Sequence, residues 1–85
     1  MTPSDYKESN LLTLGRAVQA IRERRNMSPD ELADASGVPG ELIAALEAGQ
    51  LDPTYEVLLE IADGLDTQPS ELVSLAERIH ASTEL

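Results

Sequence analysis

The sequence predicts an all-α fold: a compact bundle of five short helices. Three observations predict it. Apolar residues recur three or four apart through most of the chain, the period at which side chains share one helix face. Serine, threonine, proline and glycine stand at the edges of these periodic stretches, where helices start and stop. The apolar positions hold Ala, Leu, Val and Ile, with no Phe or Trp and only Tyr6 and Tyr55 aromatic, which suits helices that pack through small aliphatic ridges.

Eighty-five residues make one domain. A chain of this size buries only roughly 60–65% of its unfolded surface, so the core must be continuous. Residues 1–9 are polar and carry Pro3 and Ser4 without a sustained period, which predicts a disordered arm ahead of a domain spanning 10–82. From Asn10, the positions Leu11, Leu14, Val18, Ile21 and Arg25 form one stripe on a first helix, and Asn26 suits its left-handed cap. Ser28-Pro29-Asp30-Glu31 then combines an N-cap serine, a proline at the first helical position and a glutamate placed to return a bond to the cap. The second helix therefore spans Pro29 to Ser36. Gly37 stops it, and Pro39 opens a third helix that continues to Ala48 before Gly49. Thr54 caps a fourth, with Tyr55, Leu58, Ile61, Ala62 and Leu65 on its apolar face and Gly64 weakening its last turn. Gln68-Pro69 begins a fifth, whose apolar set of Leu72, Val73, Leu75, Ala76 and Ile79 is broader than a one-sided surface helix needs. That surplus points to a homodimer made through the fifth helix.

Charge is unevenly placed. Six basic residues against sixteen acidic ones give a net charge of −10, opposite to the footprint of most DNA-binding proteins. Lys7, Arg16, Arg22, Arg24 and Arg25 lie near one end and Arg78 near the other, so Asn26 to Glu77 carries twelve carboxylates and no Lys, Arg or His.

The central helices carry the most specific signal. Leu32 and Ala33 face inward, Gly37 supplies a positive φ in the turn, and Val38, Ile43 and Leu46 fix the angle at which the second and third helices cross. In order and spacing, Leu14-Gly15, Val18, Ile21-Arg22, Ser28 to Ala33, Ser36-Gly37-Val38, Ile43, Leu46 to Gly49, Pro53-Thr54, Leu58, Ile61-Ala62 and Leu65 resemble the Cro/repressor-like (XRE) helix-turn-helix family. The resemblance spans Leu14 to Leu72 and implies a lambda-repressor-like DNA-binding domain with its motif at 29–48.

It implies a transcriptional regulator, repressor-like, that lays its third helix in the major groove of double-stranded DNA. By position the contact sites fall on Pro29, Pro39, Gly40, Glu41, Ala45 and Gln50, with Arg16 adding local positive charge. The resemblance also implies a structural ion pair between Arg22 and Glu47. This chain departs from the family where glutamine is common at Pro29, amide or basic residues at Gly40 and Ala45, and a cation at Gln50. Binding is therefore expected to be weak or partner-dependent, with a shallow dependence on salt. The competing reading is an acidic scaffold that serves as a protein-interaction module, antitoxin-like, antirepressor or DNA mimic, facing a basic protein partner.

Enzymatic readings find little support in the residues. There is no cysteine, and His80 is the single histidine, without a carboxylate pair at ligand spacing. Glu56 and Glu60, like Asp30 and Asp34, share a helix face as solvated carboxylates do. Gly37-Val38-Pro39-Gly40 is turn chemistry without the Lys and Ser/Thr of a phosphate-binding loop. The expectation is no catalytic residue, no metal and no cofactor. No apolar run approaches the roughly 18 residues of a membrane span, and absent cysteines fit a cytoplasmic protein.

Overall fold

The computed structural model describes the backbone of residues 3–83 and the side chains of residues 10–82. Its five helices are α1 (Pro3–Arg24), α2 (Pro29–Ser36), α3 (Gly40–Glu47), α4 (Tyr55–Gly64) and α5 (Pro69–Thr83), and no strand occurs among the described residues. The all-α expectation and the order of the helices agree with the structure.

Local chemistry sets the boundaries. At the start of α2 the Ser28 Oγ accepts from the Glu31 N–H at 3.1 Å while the Ser28 N–H donates to Glu31 Oε1 at 2.9 Å, so two end donors are satisfied reciprocally. Gly37 ends α2 with φ of 77°, and its N–H donates to the Ala33 carbonyl. The Val38 N–H then donates to Ser36 Oγ at 3.1 Å, which closes the turn. Thr54 caps α4 by accepting from the Val57 N–H at 3.2 Å.

Several boundaries differ from those read in the sequence. Helix α1 begins at Pro3 rather than near Asn10, so residues 3–9 are helical where a disordered arm was expected. Pro3 has the φ that a first helical turn needs, and no breaker separates it from Asn10, so helix elongation runs through the polar segment. Pro39 is the residue before α3 and not its first: with φ −55° and ψ 140° it is extended, and its carbonyl accepts from the Leu42 and Ile43 N–H groups. Ala48 likewise caps α3 instead of belonging to it. Tyr55, read as part of the apolar face of α4, is 74% exposed because it sits at the first turn, beyond the reach of the core.

One cluster forms the core: Val18 and Ile21 of α1, Leu32 of α2, Val38 of the turn, Ile43 and Leu46 of α3, Ile61 and Ala62 of α4, Leu65 after it, and Leu72 of α5. Burying each large aliphatic side chain here contributes about 1.5–3 kcal/mol. Helix α1 packs most extensively on α5 and also crosses α3, while α2 lies against α4.

Two glycines permit those crossings. A Cβ on Gly15 would run into the Leu46 and Glu47 carbonyls, so α1 and α3 touch backbone to backbone. Gly64 does the same for α4 against Ser36 of α2; it is a contact position, and the left-handed residue after α4 is Asp66, with φ of 54°. Gly40 is different, because nothing lies within 4 Å of its Cβ position and its φ is ordinary. Gly15→Ala is therefore expected to destabilise the fold by about 1–3 kcal/mol, seen as a fall in Tm of about 4–8 °C per kcal/mol. Gly40→Ala in the same thermal melts should leave Tm unchanged or raise it, since alanine restricts the unfolded chain without a clash.

Candidate nucleic-acid interface

The site is built on α3, which is held from behind and open in front. Ile43 and Leu46 are fully buried, whereas Glu41, Leu42, Ala44 and Ala48 are exposed and Ala45 is half-buried. Glu41, Ala45 and Ala48 lie four and three residues apart and so share the outward face. Just before the helix, Pro39 is exposed and Gly40 half-buried; just after it, Gln50 is exposed. Pro29 is exposed at the first turn of α2; it has no N–H, Ser28 takes those of Glu31 and Leu32, and the Asp30 N–H is left at the positive end of the helix. Arg16 is exposed on α1, next in sequence to the glycine that meets the end of α3.

Behind this face lies a clasp. The Arg22 Nε donates to Glu47 Oε2 at 2.8 Å and Nη2 donates to Glu47 Oε1 at 2.9 Å, a bidentate pair. The third nitrogen, Nη1, donates to the Met27 carbonyl at 2.8 Å. The two side chains are only 10% and 13% exposed. Hydrogen bonding to Glu47 raises the Arg22 pKa above its ordinary value, burial opposes this, and the charges of Glu47 and Glu23 add to the rise. The guanidinium ties α1, the turn after it and the end of α3 into one unit.

The frame matches that of known proteins. The family model described as a helix-turn-helix domain matches residues 13–75. The chain belongs to the helix-turn-helix domain family. A solved structure, that of the restriction-modification controller protein C.AhdI from Aeromonas hydrophila, superimposes with a TM-score of 0.71 at 29% identity, covering 73% of this chain and 94% of that one. No curated protein matches at the sequence level. The protein is a DNA-binding helix-turn-helix regulator of the Cro/repressor-like type.

Within this helix-turn-helix, the structure gathers Pro39, Gly40, Glu41, Ala45 and Gln50 along one helix and its flanks. Sequence reasoning passed over Leu42 and Ala44, which are exposed on the same helix, and Ala48, exposed at its C-cap. Leu42 is 37% exposed although leucine ordinarily reads as core. The available signal was its place between Glu41 and the inward Ile43, at the edge of the buried stripe.

The clasp yields a direct test. Glu47→Ala leaves the guanidinium nearly buried with one partner, and a loss of about 3 kcal/mol is expected in chemical denaturation. Arg22→Met combined with Glu47→Leu should recover part of that loss, giving a positive coupling energy in a double-mutant cycle.

Proposed function

We infer that this helix-turn-helix protein represses transcription by laying α3 in the major groove of an operator, one copy on each half-site, in the cytoplasm and without catalysis. The observation that carries this reading is the exposure pattern of α3: one side is fixed in the core by Ile43 and Leu46, and the other stands open on the motif. The Asp30 N–H at the start of α2, with Arg16, supplies the phosphate contacts. Gln50 and Glu41 are the polar readers. Glu41 accepts from a cytosine N4, and Leu42 with Ala45 meets thymine methyl groups. The dimer forms through α5, where Val73 is 42% exposed in an otherwise inward-facing apolar set.

One observation favours a second reading, an acidic module for a basic protein partner: the open face of α3 carries Glu41 and apolar side chains, and no cation. A carboxylate aimed at a polyanion weakens association, and few basic contacts release few counterions.

A duplex titration separates the two. At low salt the protein should bind genomic duplex fragments, with a shallow slope of log K against log salt, and no binding at roughly tens of micromolar removes the repressor reading. Glu41→Lys should tighten binding to any duplex and steepen that slope by about 1 to 2. Replacing thymine by uracil in a selected site should cost about 0.8 kcal/mol for each methyl that α3 buries. Val73→Glu should convert the dimer to a monomer in sedimentation without lowering the helical signal.

A further inference from the structure

Away from the DNA-reading face, α1 and α5 enclose a cleft of about 170 Å³ lined by Arg24 on one side and Ser70, Ser74 and Arg78 on the other. Ser70, Ser74 and Arg78 are spaced four apart, so one face of α5 presents two hydroxyls and a guanidinium in a row. Among the described residues neither the Arg24 nor the Arg78 side chain has a hydrogen bond or an ion pair. That is notable in a chain of net charge −10, whose other basic groups include the fully engaged Arg22 and an Arg25 bonded to the Asp66 carbonyl. Arg25 and Arg24 line the adjoining cleft of about 310 Å³, so three guanidiniums ring this end of the domain.

The cleft faces away from α3. Arg22 points at α3, and Arg24 lies two residues further along α1, about 200° round the helix. Arg24 is thus turned from the side of α1 that meets α3 toward α5.

We propose that this cleft binds a small phosphate-bearing anion, a phosphomonoester or free phosphate. Two guanidinium forks and two hydroxyls supply donors from both walls. A terminal phosphate, with three oxygens and up to two negative charges, meets more of these donors at once than a carboxylate, with two oxygens and one charge. Glu71 also lines the cleft and opposes the anion, but its Oε2 accepts from the Thr67 hydroxyl at 2.7 Å and it forms no ion pair with either arginine. Its charge weakens the binding of any anion, so the two guanidiniums have to outweigh it.

The test is a heteronuclear NMR titration of the full chain with inorganic phosphate and with a nucleoside 5′-monophosphate, against chloride at equal ionic strength. Saturable shifts at the Ser70 and Ser74 amides are expected with phosphate and not with chloride. The double variant Arg24→Gln, Arg78→Gln should weaken binding at least about tenfold, because it removes charge-assisted bonds from both walls. Both residues are exposed, so its fold is checked by an unchanged thermal melt. Glu71→Gln should tighten binding severalfold. Binding of the nucleotide at least as tight as that of phosphate identifies an ester as the ligand, and binding of phosphate alone identifies the free ion. Shifts equal to those in chloride, or unchanged in the double variant, overturn the proposal. So does a double variant that loses duplex binding more than Arg16→Gln does, which would make the cleft a backbone contact for DNA.

Discussion

The clasp of Arg22 on Glu47 is the constraint around which the rest is arranged. Helices α2 and α3 have eight residues each, too few to persist alone in water. What gives them a fixed crossing is a backing of α1, which shares the core with α3 and meets it most specifically at the backbone contact at Gly15 and the paired charges at Arg22. The first sets the separation and the second sets the rotation. Because the same guanidinium also holds the Met27 carbonyl, it fixes the direction in which the chain leaves α1 to enter α2. A hydrophobic contact of equal volume would offer comparable stability with no such directional definition.

Most of the fold was legible because it is encoded in short-range chemistry. Ser28, Glu31, Gly37, Asn26 and Thr54 each act on groups two to four residues away, and the structure finds each in that role. What escaped depends on contacts between distant elements. Gly64 reads as a helix weakener, and only the approach of Ser36 from α2 shows that it is there for lack of a Cβ. Tyr55 has the right period for the core but lies where the helix has left it. At the interface the frame was legible and the surface only partly so. Ile43 and Leu46 declare themselves by period, while Leu42, 37% exposed, stands at the edge of the buried stripe, where residue type alone points to the core.

The charge distribution makes better sense in three dimensions than along the chain. The acidic stretch from Asp30 to Glu77 spreads mostly over the outside of four helices and their connections, while Glu47 turns inward to meet its arginine. The basic residues divide by side of α1: Arg22 toward α3, and Arg24 toward α5. Net charge is therefore a poor guide to any one face of this molecule. It does govern association at a distance, so long-range steering opposes approach to DNA even where local contacts favour it.

The pairing of α1 with α5 has a consequence for when the motif comes into being. These two helices come from opposite ends of the described chain and share the broadest packing surface, with the helix-turn-helix enclosed between them in sequence. Loop closure over that span has to be met before Leu72 can complete the core around Ile43 and Leu46. The core that backs α3 is therefore complete only when α5 has docked against α1.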